Sequence, residues 1–135
     1  MKPAPEYVPA HGLMRGKSVL VTAAAGAGIG FAAAKRAAEE GCRALLISDV
    51  HERRLSEAVE AIRQETGLQE VYGHLCDVSQ ESQVQSLIRA AQEQLGGIDV
   101  LINNAGLGTS RRVVDMEDAE WHKVIDVTLT GTFRV

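Results

Sequence analysis

The sequence predicts an α/β domain built on a doubly wound parallel sheet, with four strands in the order third, second, first, fourth (3-2-1-4). Three observations lead there. Short apolar runs alternate with helix-length amphipathic patterns, which demands right-handed crossovers and parallel strands covered on both faces. The first apolar run, Val19-Leu20-Val21-Thr22, passes through small residues into a helical pattern at Ile29. Three unusual features, the turn at Gly26, Gly28 and Gly30, the carboxylate of Asp49 and the turn Asn103-Asn104-Ala105-Gly106, all fall at carboxyl ends of strands. In such sheets the chain reverses direction between the first and fourth strands, and ligands bind in the crevice this opens.

A length of 135 residues with 45% hydrophobic, 24% charged and 4% aromatic residues predicts one domain with an aliphatic core. The net charge of -4 argues against a nucleic-acid or anionic-membrane surface. The basic pairs Arg53-Arg54 and Arg111-Arg112 stand alone and read as solvated surface. Cys42 and Cys76 lack metal-ligand spacing and read as reduced structural thiols, and His11, His51, His74 and His122 are scattered, so no metal is expected. The apolar runs are strand-length and the N-terminus has no signal-peptide core, which makes the cytoplasm the expected location.

Residues 1–16 hold all three prolines, Pro3, Pro5 and Pro9, and read as an extended arm ahead of a domain covering 17–135. Lys17 to Thr22 is the first strand and Ile29 to Glu40 the first helix, with Ile29, Ala33 and Ala37 on one stripe and Gly41 as its stop. Ala44 to Ser48 is the second strand. Glu52 to Glu65 is the second helix, with Leu55, Val59 and Ile62 on its apolar face and Thr66-Gly67 closing it. Glu70 to Cys76 is the third strand. Ser79 is a good N-cap for a third helix whose stripe is Val84, Leu87, Ile88, Ala91 and Leu95, ended by Gly96-Gly97. Ile98 to Ile102 is the fourth strand, and Asp118 to Phe133 a fourth helix with Trp121, Val124, Ile125 and Leu129 at helical spacing.

The glycine turn opens a helix whose first N–H groups lack partners and whose end carries about half a positive charge, so a diphosphate suits it. Gly26, Gly28, Ile29 and Gly30 are candidate ligand contacts. Asp49 lies about twenty residues beyond Gly30, where a carboxylate accepts both ribose hydroxyls of an adenosine and repels a 2'-phosphate. That favours NAD(H) over NADP(H); the alternative is that Asp49 only caps the second helix. Asp77 can accept from an adenine amino group while Val78 flanks the ring, or Asp77 can cap the third helix beside Ser79. Asn104, Ala105 and Gly106 admit the cofactor at the switch point and tie strands together, and Asp99 reads as structural.

With these residues in place, the chain from about Gly16 to Val135 resembles the N-terminal half of a short-chain dehydrogenase/reductase. The markers are Gly28-Ile29-Gly30, Asp49, Cys76-Asp77-Val78, the run Asp99 to Gly106, and Leu129-Thr130-Gly131-Thr132-Phe133. The resemblance implies a Rossmann-type fold, a nicotinamide cofactor, and hydride transfer between it and a secondary alcohol or ketone. It also implies a homo-oligomer formed through the fourth helix.

Three departures stand out. The family turn is Thr-Gly-x-x-x-Gly-x-Gly; aligned on Gly28 and Gly30, Ala23 and Ala24 take the Thr and first Gly positions while Thr22 sits one place early, as if the turn carried an extra residue. The family's catalytic-relay Asn in the fourth helix is replaced by Thr128. The family's catalytic Ser and Tyr-x-x-x-Lys follow the fourth helix, and here Tyr7 and Tyr72 are the only tyrosines, neither with Lys four residues later. The expectation is a cofactor-binding half that is inactive alone, with a non-catalytic nucleotide-binding or assembly module as the alternative.

Overall fold

The computed structural model describes residues 3–135. At its centre lies β1 (Ser18–Val21), whose Val19, Leu20 and Val21 are wholly buried. A strand apolar on both faces belongs in the middle of a parallel sheet, because helices cover both sides. β2 (Ala44–Asp49) flanks β1 on one side, β3 (Val71–Leu75) lies beyond it, and β4 (Val100–Ile102) flanks β1 on the other. All pairings are parallel and the order is β3-β2-β1-β4, as the alternating pattern predicts.

Two apolar layers sandwich the sheet. α1 (Ile29–Glu39) and α2 (Glu52–Thr66) cover Val19, Val21, Leu45 and Ile47, while α3 (Glu81–Leu95) covers Leu20 and Leu46 from the other face. Each fully buried Leu, Ile or Val contributes about 1.5–3 kcal/mol of apolar transfer, so these layers dominate the driving force. α2 and α3 stop where Gly67 (φ +77°) and Gly96 (φ +75°) take the left-handed conformation that closes a helix. Both stops are the predicted ones.

Three local expectations need correction. Ile29 is 83% exposed, so the buried face of α1 is Gly30, Ala34, Ala37 and Ala38 instead of a stripe through Ile29. Gly30 sets this rotation, because it meets the Ala23 carbonyl with no room for a side chain. α3 is capped at Gln80, and Ser79 instead turns its N–H and hydroxyl onto Asp77 Oδ1 at 2.9 and 2.7 Å. The predicted fourth helix is interrupted: α4 (Asp118–Ile125) gives way to a π-helical turn at Asp126–Thr130, then α5 (Gly131–Arg134). Gly131 packs so closely on Val78 that a Cβ would lie 2.6 Å from Val78 Cγ2, and the wider turn accommodates this approach.

The described part of the arm is irregular in backbone and is fastened to the end of α1. Leu13 N–H and His11 N–H donate to Glu40 Oε2 at 2.9 and 3.0 Å, Arg36 reaches the Val8 carbonyl at 2.6 Å, and the same guanidinium lies 5.2 Å over the Tyr7 ring. Glu40 is buried, and the Leu13 N–H, with His11 N–H and Arg36, holds its carboxyl down at about 2. Among the described residues no helix is long and apolar enough to cross a membrane.

Candidate functional site

The site is assembled where β1 and β4 end. Thr22 Oγ1 accepts the N–H groups of Asn104 and Ala105, each at 3.0 Å. Asn104 returns the contact, its Nδ2 donating to the carbonyls of Thr22 (3.1 Å) and Ala23 (2.9 Å). An amide at this position therefore binds two strands together, as expected from the sequence. A Cβ on Gly30 would lie 2.5 Å from the Ala23 oxygen and overlap Asn104 Nδ2, so only glycine lets α1 start this close to the sheet.

After Thr22, Ala23 adopts φ +52°, the left-handed conformation a glycine would take without strain. Gly26 is left-handed at φ +95°, and nothing approaches a Cβ built on Gly26 or Gly28, so the face of the turn is open. α1 has Gly28 at its N-cap, with no side-chain cap and no acidic residue in its first turn, which leaves its leading N–H groups for an anion.

Beside the turn lies a pocket of about 250 Å³ lined by Ala23, Asp49, Val50, Cys76, Asp77 and Val78. Ala105, Gly106, Leu107, Lys123 and Val127 line it too, whereas Thr22, Gly26, Gly28, Ile29, Gly30 and Asn104 do not. Asp49, 8% exposed, accepts Ala25 N–H on Oδ2 at 3.1 Å and His51 N–H on Oδ1 at 3.2 Å. Asp49 does not cap α2, whose N-cap is His51 without a side-chain cap bond; it braces the residue ahead of the helix and lines the pocket. The same holds for Asp77, which receives Ser79 on Oδ1 and lines the pocket.

Thr128 lies in the π-helical turn, and its hydroxyl both accepts Leu107 N–H at 3.0 Å and donates to the Leu107 carbonyl at 3.2 Å. Its contact is with the loop after β4, which it holds beside Gly106. Asp99 serves structure: Ser18 N–H and hydroxyl donate to Oδ2 at 2.8 and 3.0 Å, keeping its carboxyl below the usual range. Cys42 and Cys76 are free and buried, and burial pushes both thiols up to about 11. Among the described residues no group of three or more His, Cys, Asp and Glu could hold a metal ion.

Val50, Leu107, Lys123 and Val127 line the pocket without having been singled out by the sequence. Val127 and Lys123 lie four residues apart, so helical spacing linked them, but nothing in the sequence said which face of that helix meets the pocket. Arg53 pairs with Glu57 at 3.2 Å on the exposed surface, as the sequence reading expects. Neither it nor Arg54 lines the pocket.

A parallel sheet with a glycine turn, a strand-end acid and a pocket at its switch point defines a nucleotide-binding α/β domain of the doubly wound type. The chain belongs to the short chain dehydrogenase family, whose sequence profile matches residues 17–135. It is 50% identical over 131 residues, 97% of this chain and 49% of the relative, to a Mycobacterium tuberculosis protein named (5R,7aS)-5-hydroxy-7a-methyl-1-oxo-2,3,5,6,7,7a-hexahydro-1H-indene-carboxyl-CoA reductase. A crystal structure of a short chain dehydrogenase from Mycobacterium smegmatis superposes with a TM-score of 0.92 at 49% identity, covering 98% of this chain and 54% of that one. L-Sorbose reductase from Gluconobacter frateurii, complexed with NADPH and L-sorbose, matches at TM-score 0.82 and 26% identity over 90% of this chain and 45% of that one. A Burkholderia phymatum short chain dehydrogenase/reductase in complex with NAD matches at 0.81 and 35%, over 90% and 42% respectively. The chain spans about half the length of these relatives.

Proposed function

We propose that this chain is the cofactor-binding part of a dehydrogenase that moves hydride between NAD(H) and a secondary alcohol or ketone. The observation that carries this reading is that Asp49 and Asp77 line one pocket while Asp49 Oδ2 also accepts the Ala25 N–H of the turn leading into the uncapped start of α1. The diphosphate lies against Gly26, Gly28, Ile29 and Gly30, with Thr22 fixing the turn. Asp49 would take the adenosine ribose and Asp77 with Val78 the adenine, with Ala105 and Gly106 lining the same pocket and Asn104 holding the strand ends that frame it. The pocket volume suits the adenosine portion, with the remainder of the cofactor lying along the open turn.

NAD(H) is favoured because Asp49 places a carboxylate where NADP(H) carries a phosphate. Neighbouring structures hold NADPH in one case and NAD in another, which supports a nicotinamide cofactor without choosing between them. When bound, the cofactor supplies the hydride; this chain's residues bind and orient it, and Thr128 holds the loop beneath it. The substrate we propose is a ketone or secondary alcohol on a ring system, consistent with the fused-ring name of the tuberculosis relative. The 135 residues alone should not turn over such a substrate, because neither tyrosine has a lysine four residues on. Free, buried thiols fit a cytoplasmic setting.

Titrating the chain with NADH and following nicotinamide fluorescence tests the reading. Gly30→Ala should lose most of the affinity, because the added methyl must displace Asn104 or the Ala23 carbonyl at a cost of about 1–3 kcal/mol. Unchanged affinity in that variant would remove α1 from the binding site.

A further inference from the structure

We infer that Asp49 plays a second part at this site, holding the glycine turn through Ala25 in the shape that receives the diphosphate, so that it acts as a positioning residue as well as a ribose ligand. This rests on the dinucleotide reading proposed for the crevice and adds a coupling between its two ends.

The turn from Ala23 to Gly28 is a run of alanines and glycines, and such a loop of small residues has many conformations to lose on ordering. It is held from both sides. On the β4 side Asn104 Nδ2 grips the carbonyls of Thr22 and Ala23. On the β2 side Ala24 N–H donates to the Ser48 carbonyl at 2.9 Å, and Ala25 N–H donates to Asp49 Oδ2 at 3.1 Å. The Ala25 contact is the last of these before the open glycines, and a side chain supplies its acceptor. Asp49 is 8% exposed, and its other carboxylate oxygen is fixed by His51 N–H. It is therefore an anchored acceptor, able to order Ala25 rather than follow it. Each oxygen accepts one backbone N–H and keeps further acceptor capacity for a ribose hydroxyl, so the two roles do not exclude each other.

The two roles predict opposite signs for an anion that has no ribose. Removing a carboxylate near an anion site relieves repulsion and should tighten binding. Removing an anchor of the anion-binding turn should weaken it. The experiment uses inorganic pyrophosphate and NADH as probes with the 135-residue chain and its Asp49→Ala and Asp49→Asn variants. Amide exchange of residues 24–28 is measured on the unliganded proteins. Asp49→Ala should bind pyrophosphate about threefold to tenfold more weakly than the parent and exchange faster across the turn. Asp49→Asn, which keeps an acceptor and loses the charge, should bind pyrophosphate at least as well as the parent while losing NADH affinity.

Tighter pyrophosphate binding by Asp49→Ala, or unchanged exchange at Ala25, would overturn the positioning role and leave Asp49 as a ribose ligand only. Failure of the parent chain to bind either probe would overturn the dinucleotide reading and the coupling with it. Even then, the exchange result would separately show whether Asp49 orders the turn.

Discussion

Ala23 is the residue at which this sequence departs furthest from an unstrained backbone. An L-residue in the left-handed region costs about 1–2 kcal/mol, and Ala23 sits there at φ +52° because Thr22 and Asn104 fix the backbone on either side. Ala23→Gly should therefore stabilise the chain by about 0.5 kcal/mol, after the extra entropy of glycine in the unfolded state is subtracted. Denaturant unfolding measures this, and a loss of stability would mean that the alanine is not strained. The irregularity of the turn was legible in the sequence, since Ala23 and Ala24 broke the expected pattern. The left-handed backbone of Ala23 was not, because it depends on hydrogen bonds between residues some eighty positions apart. Asp49 was legible as a candidate ligand from its strand-end position, whereas its bond to Ala25 was not, since no spacing rule links the two.

At the scale of elements, strand order and helix stops followed from the alternation of patterns and from glycines that can take positive φ. The break after Ile125 was hidden because a π-helical turn preserves the apolar composition and shifts only the face each residue presents. That shift separates the pocket residues Lys123 and Val127 from the exposed Leu129, and explains why the pocket-facing pair could not be picked out by spacing. The N-terminal arm supplies a second element-scale consequence. The carboxyl of Glu40, which receives the arm's N–H groups, titrates at about 2 in the folded chain against an ordinary value of 4.5. A carboxylate with a depressed folded pKa stabilises above its ordinary value and loses that contribution as pH falls toward the folded one. The stability difference between the parent and Glu40→Gln should hold at neutral pH and shrink as pH drops from 4.5 toward 2. A difference independent of pH across that window would detach Glu40's charge from the arm.

The molecule as a whole is covered on the α1 and α2 side and open at β4. Leu101 is 38% exposed on that strand, and beyond it Val113 (73%), Val114 (80%), Trp121 (50%), Leu129 (64%) and Phe133 (88%) face outward. An unpaired strand edge beside exposed apolar groups favours association. The chain should therefore associate in a concentration-dependent way through the α4 and α5 face, and Phe133→Glu should shift it toward monomer in sedimentation velocity. A parent chain that stays monomeric over the whole accessible concentration range would contradict association through this face. At the carboxyl end of β2, Asp49 is proposed to select the cofactor. Parallel titration of the chain with NADH and NADPH tests it most directly: NADH should bind more tightly, and equal or tighter binding of NADPH would contradict the selection by Asp49.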